Sequence, residues 1–254
     1  MLENIIKGKT PEPPKILIYG NPGVGKSTFA ADAPDAIFIQ TEDGLNNLDV
    51  TKLPLCENYA DVLAQLAALA NEDHEFKTLC FDSLTNLERF IHAEVCRQFG
   101  VKNIEKADGG FAKGYKHALN YWQDIVDALN YLNKTRKMMI ILTAHQGVQE
   151  VKDPETDTYH RTSPRLHNLA EYMIEEWCDC VFHAKKQFRV QKTEEGFGNK
   201  RAIASALGAD GGERVIRTIG TAAVVAKNRY DLPEHLPLDF NAFWDGVKAN
   251  LNQQ

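Results

Sequence analysis

The chain has 254 residues, 43% of them hydrophobic and 25% charged, with a formal net charge of −6. That length suits one large domain or a domain plus a small appendage, and no apolar run is long enough to cross a membrane. The excess of acids argues against a protein that coats nucleic acid with its whole surface, yet leaves room for a local basic channel.

Taken in order, the first residues lack the long apolar stretch of a signal peptide, so the chain reads as intracellular and cytoplasmic. Pro11, Pro13 and Pro14 mark residues 1–14 as an extended arm. Lys15-Ile16-Leu17-Ile18-Tyr19 is an apolar, β-branched run that predicts a buried strand. It leads into Gly20-Asn21-Pro22-Gly23-Val24-Gly25-Lys26-Ser27-Thr28, and Thr28-Phe29-Ala30-Ala31 reads as the start of a helix. This is the pattern G-x-x-x-x-G-K-[ST] with a strand before and a helix after, the context that marks a phosphate-binding loop. Asn21, Pro22, Gly23, Val24, Gly25, Lys26, Ser27 and Thr28 then form the nucleotide cradle. The glycines let backbone N–H groups turn inward around a phosphate. Lys26 places a point charge on the terminal phosphates, and Ser27 offers a hydroxyl to Mg²⁺.

Ala36-Ile37-Phe38-Ile39-Gln40 predicts a second strand ending at Thr41-Glu42, and Tyr59 to Leu69 has helical apolar spacing. Lys77 to Ser83 is an apolar strand ending in Asp82, an acid placed to hold Mg²⁺ or its water. Glu42 is either the residue that polarises the attacking water or a solvated turn acid. A helix follows from Leu84 to Phe99. Gly100 to Lys116 reads as a loop bearing Lys102, Lys106, Lys113 and Lys116, and Tyr121 to Asn133 as a further helix. Met138 to Ala144 predicts a buried strand that ends at His145-Gln146, where His145 is a γ-phosphate sensor or a hydrogen-bonded strand-end histidine.

A long polar loop is expected from Gly147 to His167, with Lys152, Arg161 and Arg165 among acids that include Glu150, Asp153, Glu155 and Asp157. Leu169 to Glu176 predicts a short helix and Cys178 to His183 a strand. Residues 185–214 carry Lys185, Lys186, Arg189, Lys192, Lys200 and Arg201 around Gly196 and Gly198, and suggest a hairpin. Thr221 to Ala226 is expected as the last core strand, running into Lys227-Asn228-Arg229-Tyr230. Lys227 and Arg229 share one side of an extended chain. They reach the chain's own nucleotide, or a neighbour's, or form an exposed pair. Beyond Pro233 and Pro237 lies an amphipathic helix around Phe240, Phe243, Trp244 and Val247. The five cysteines are scattered, and a single aspartate separates Cys178 from Cys180, so buried thiols are expected rather than a metal or redox pair.

Alternating strands and helices with polar residues at strand ends describe an α/β domain with a mainly parallel sheet flanked by helices. The motif order resembles the RecA-like ATPase core. Phe38 to Glu42 is similar to the RecA strand that ends in the catalytic glutamate. Ile140 to Gln146 is similar to the strand that carries its polar sensor. Ala226-Lys227-Asn228-Arg229-Tyr230 resembles the motif of bacterial RadA and related hexameric enzymes. In length and ending the chain looks most like the phage Sak-four family of single-strand-annealing recombinases.

That resemblance implies a RecA-like P-loop NTPase core over residues 15–254 with a C-terminal β-hairpin region. It implies ATP and Mg²⁺ at Lys26, Ser27 and Asp82, water activation by Glu42, and His145 or Gln146 as sensor. Lys227 and Arg229 would complete a neighbour's site in a head-to-tail ring or filament. Single-stranded DNA would meet residues 100–116 and 147–167, through Lys102, Lys106, Lys113, Lys116, Arg161 and Arg165. A phage single-strand-binding protein would be a further partner. Two other readings use the same loop: a motor or switch ATPase acting on a protein such as a helicase loader, and a small-molecule kinase. A monomeric kinase would have no use for the late Lys-Asn-Arg.

Overall fold

The computed structural model describes residue 7 and residues 12–152, 157–195, 199–206 and 212–252, with the backbone alone considered over 188–195, 199–206 and 251–252. Most of the arm 1–14, the hairpin tip with Gly196 and Gly198, and the acids Asp153 and Glu155 lie outside the described residues, as do the side chains of Arg189, Lys192, Lys200 and Arg201. The first half of the chain contains β1 (Lys15–Gly20), α1 (Lys26–Ala31), β2 (Ala36–Gln40), β3 (Thr51–Lys52), α2 (Tyr59–Asn71), β4 (Thr78–Asp82) and α3 (Leu84–Phe99). A 3-10 segment (Ile104–Gly109) precedes α4 (Lys113–Lys134), β5 (Met139–Val151), β6 (Tyr159–Pro164), α5 (Asn168–Trp177) and β7 (Cys180–Lys186). The hairpin β8 (Phe188–Glu195) and β9 (Asn199–Ala206) follows, then β10 (Arg214–Arg217), β11 (Lys227–Asn228), β12 (His235–Pro237) and α6 (Phe240–Asn252).

The main sheet has the order β12-β10-β7-β1-β5-β4-β2-β3, with β6 paired to β5 and β11 to β7. The six strands from β7 to β3 are parallel. β10, β12, β11 and β6 join antiparallel. Alternation along β1 decides the two faces. Ile16 and Ile18 pack with Phe29 of α1 and with Phe240, Phe243 and Val247 of α6. Leu17 and Tyr19 face the layer built from Leu66 of α2, Ile91 of α3, Trp122 of α4 and Ile174 of α5. Burial of each large side chain is worth about 1.5–3 kcal/mol, so both layers hold the strand ends in place. The end of the arm is docked as well: the Pro14 carbonyl accepts from the Ile140 N–H at 3.0 Å.

Four expectations are corrected. Within the stretch 147–167 the described residues pair as strands rather than form a loop, because β5 runs on to Val151 and β6 pairs back from Gln146↔Pro164 to Val151↔Tyr159. Its polar residues hid an exposed two-stranded ribbon, whose outward positions need no apolar side chains. Lys113 and Lys116 stand on α4, which starts eight residues before the predicted Tyr121. Gly114, Ala118 and Trp122 are buried at four-residue spacing, but a glycine at such a position weakens the helical signal. Residues 221–226 form a tight turn bridged between Thr221 and Val224, not a core strand. The strand is Lys227–Asn228 itself, laid antiparallel on β7. Finally, all five cysteines are free as expected, but Cys96 is only partly buried.

Candidate nucleotide-hydrolysis site

The ends of β1, β2 and β4 converge at one edge of the sheet, beside His145 at the middle of the longer β5. Gly20 lies in register with His145 of β5 and Ala184 of β7, and Gln40 beside Asp82. The loop after β1 passes through two left-handed positions, Gly23 (φ 71°) and Gly25 (φ 112°), a region that side chains disfavour. The Lys26 ammonium folds across this loop and donates to the carbonyls of Gly20 at 3.1 Å and Asn21 at 3.2 Å. Burial draws it below the usual lysine range, against the opposing pull of Asp82 and Glu42. A partly desolvated cation held only by neutral carbonyls is ready to be taken over by phosphate oxygens.

Ser27 Oγ donates to Asp82 Oδ2 at 2.6 Å, and Thr143 Oγ1 donates to Asp82 Oδ1 at 2.6 Å. Thr143 belongs to no motif and was missed. Its signal was positional, since it precedes His145 by two residues and so shares its side of β5. Replacing Thr143 with valine leaves Asp82 Oδ1 without its partner. The expected cost is about 1–3 kcal/mol of stability, read as a lower urea midpoint. The pair Ser27 and Asp82 fits Mg²⁺: both offer hard oxygen ligands, and a Mg²⁺ site ordinarily takes one or two carboxylates plus phosphate oxygens and waters. Among the described residues no cluster of three or more His, Cys, Asp or Glu suggests another metal site.

Glu42 is positioned by stapling the end of β2 to that of β4. The Thr41 N–H donates to the Asp82 carbonyl at 2.7 Å. Thr41 Oγ1 donates to the Ser83 carbonyl at 2.8 Å and accepts from the Ser83 N–H at 3.0 Å. The Asn86 amide donates to the Thr41 carbonyl. The Glu42 carboxylate then accepts from His145 Nε2, at 3.1 and 3.2 Å, and from Ser83 Oγ. The His145 hydrogen bond, opposed by burial and aided by Ser83, holds Glu42 down at about 2. His145 is anchored through its N–H, which donates to Thr85 Oγ1 at 3.0 Å. Gln146 turns to the other side, where its Oε1 meets His183 Nε2 at 3.0 Å. It is therefore His145 that faces the glutamate.

Lys227 and Arg229 lie elsewhere in the same chain. Lys227 pairs with Val181, which lies beside Leu17 near the start of β1. That is about 10–13 Å along the strands from the phosphate loop. Lys227 Nζ donates to the carbonyls of Glu175 (2.8 Å), Glu176 (3.1 Å) and Cys178 (2.7 Å), capping α5. Arg229 forms an ion pair with Asp179 at 3.0 Å and remains 54% exposed. The option that these cations reach the chain's own nucleotide is thereby removed.

The proposed DNA contacts divide in the same way. Lys102, Lys106 and Lys116 are exposed and make no side-chain hydrogen bond or ion pair with any described residue. Lys113 is engaged by Asp108, at 3.7 Å from its carboxylate and 3.2 Å from its carbonyl. Arg161 turns toward Glu175 of α5 at 3.8 Å, whereas Arg165 is exposed at the base of the β5–β6 hairpin. The two segments meet where Tyr115 stacks on His167, with ring centroids 3.9 Å apart. Phe111, which sequence reasoning passed over, is 96% exposed among these lysines. It stands in a run of positive φ angles from Asp108 to Ala112.

A parallel sheet with one strand between the phosphate-loop strand and the Asp82 strand, carrying this site at its carboxyl edge, is a RecA-like P-loop NTPase fold. A family model described as "AAA domain" matches residues 12–230, and the chain belongs to that family. The SPbeta prophage-derived uncharacterized protein YorG of Bacillus subtilis (strain 168) is 25% identical over 114 residues, which cover 43% of this chain. The match spans 35% of that protein's length. Among solved structures, the RadB recombinase aligns with a TM-score of 0.41 at 10% identity, covering 76% of this chain and 86% of that one. Among the described residues no helix is long and apolar enough to cross a membrane.

Proposed function

We propose that this chain is a Mg²⁺-dependent ATPase that assembles head to tail on single-stranded DNA and promotes annealing or strand pairing. The observation that carries the hydrolytic part is the convergence of Lys26, Ser27, Asp82 and Glu42, at the ends of β1, β4 and β2, with His145 of β5. Lys26 would bind the terminal phosphates, and Ser27 and Asp82 would hold the metal. Mg²⁺ bound there would neutralise charge on the β- and γ-phosphates. Glu42 orients the attacking water and receives its proton. With His145 and Ser83 on its carboxylate, Glu42 is a weak base, so the arrangement is a resting one. His145 continues directly into the β5–β6 hairpin, so a ligand that shifts the hairpin also moves His145 and frees the carboxylate.

The DNA part is supported by the segment leading into α4, where Phe111 is exposed and Lys102, Lys106 and Lys116 are exposed without a side-chain partner among the described residues. Lysines track a phosphate backbone, and an exposed ring stacks on unpaired bases at about 1–3 kcal/mol per base. Phe111→Ala is expected to weaken binding of a fluorescent oligonucleotide by about tenfold and to leave nucleotide binding unchanged. An unaltered affinity for single strands would remove Phe111 from the contact. If the wild-type protein shows ATP turnover and self-association that are both indifferent to single strands, a protein partner takes the place of DNA. Head-to-tail assembly is supported by the opposite placement of the two half-sites, since Arg229 lies at the amino edge of the sheet and the phosphate loop at the carboxyl edge. A heterologous contact of that kind closes a ring or extends a filament. In this reading Arg229 acts in trans, and Lys227 braces the element that presents it.

A further inference from the structure

The phosphate loop has a second flank that no motif marks. In the strand order, β5, β4 and β2 bring His145, Asp82 and Glu42 from one side of β1, and β7 and β10 lie on the other side. Arg214 opens β10, in register with Lys186, two residues beyond the Ala184 that lies beside Gly20. β10 therefore places Arg214 level with the loop rather than with the sheet interior. Ile216, two residues on, is buried in the layer shared with Phe29 of α1, so Arg214 shares the α1 side of the sheet.

Its side chain reaches the loop. A Cβ placed on Gly25 would lie 3.2 Å from Arg214 Nη1, 3.9 Å from its Cδ and 3.2 Å from Leu238 Cδ2. Leu238 is fixed there by its N–H, which donates to the Arg214 carbonyl at 2.9 Å. The guanidinium is exposed and makes no hydrogen bond or ion pair with any described residue. A planar, permanently charged donor beside a phosphate loop suits an anionic oxygen pair.

We propose that Arg214 is a nucleotide-binding residue of the same chain, pairing with the α/β-phosphates from the flank opposite Glu42. The inference rests on the loop binding a nucleotide, as proposed above. Lys26, Asp82 and Glu42 serve the γ-phosphate end. Arg214, arriving from the other side, contacts the part that ADP and ATP have in common.

The test is equilibrium binding of fluorescent ADP and of a slowly hydrolysed fluorescent ATP analogue, each with Mg²⁺, to the wild type, Arg214→Gln and Arg214→Lys. Thermal midpoints are measured alongside. Arg214→Gln is expected to weaken both ligands equally, by about tenfold, the size of one charge-assisted contact. Arg214→Lys, which keeps the charge but not the planar fork, should lose clearly less affinity than Arg214→Gln. Unchanged affinity in Arg214→Gln overturns the proposal, as does a loss confined to the ATP analogue or an equal loss in both variants. Failure of the wild type to bind either ligand overturns the nucleotide reading itself, a result separate from these.

Discussion

Replacing Glu42 with glutamine is expected to leave ATP affinity within about twofold and to lower turnover by about 100-fold or more, the usual scale for a positioned general base. Glutamine keeps the length of the side chain and still accepts from His145, so the stapled ends of β2 and β4 stay together. It cannot take a proton from water. Binding of a fluorescent nucleotide and release of phosphate from the same preparation check both halves. Turnover within about threefold of the wild type would remove Glu42 from the base role.

The pH dependence follows from the same contacts. Glu42 is held at about 2 in the folded chain by His145 and Ser83. A depressed carboxylate pKa means that Glu42 stays ionised across the working range, and that its contribution to stability, present above the ordinary carboxylate range, is lost only as pH falls toward 2. Turnover should therefore show no acidic limb from Glu42 near neutrality. In His145→Ala the largest depressing influence is gone, and any limb from Glu42 should move up toward the ordinary carboxylate range.

Arg229→Ala is expected to bind nucleotide normally and to lose turnover by about 1,000-fold, the scale of a cationic finger. Its ion pair with Asp179 is half exposed and worth about 0–1 kcal/mol, so the arginine is available to a neighbour at little cost. Complementation separates this from a defect within one protomer. Arg229→Ala supplies an intact nucleotide site, and Lys26→Ala supplies an intact arginine. A random equal mixture places an intact site against an intact arginine at about one interface in four. Activity recovered to about that fraction supports action in trans. Co-assembly without any recovery would sink it. Lys227→Ala should behave differently, lowering the thermal midpoint through loss of the α5 cap.

How much of this was legible depends on whether local pattern or distant packing decides a residue's place. β1, the phosphate loop, β2, α3 and the Asp82 strand were readable, because buried parallel strands are short apolar runs and the loop has an obligatory glycine and lysine spacing. Glu42, Asp82 and His145 stand out in the sequence because each ends such a run, and the fold brings them together. The β5–β6 hairpin has no such signature, since a solvated ribbon has no apolar alternation to show. The start of α4 was hidden by Gly114, which is buried beneath the Ile104 segment.

The phosphate loop itself also looks different in the folded chain. By itself the sequence determined that a strand, a glycine-rich turn and a helix would present Lys26 and Ser27 to a phosphate. The reason is local: backbone freedom and charge at fixed spacing suffice. Only the tertiary structure decided what surrounds that loop. It placed Thr143 on Asp82, turned His145 rather than Gln146 toward Glu42, and carried Lys227 and Arg229 to the opposite edge. It also brought Arg214 from β10 against Gly25. These placements depend on strand order and register, which pair residues far apart in the chain, from Gln146 with His183 to Gly25 with Arg214, and leave no periodic trace in it.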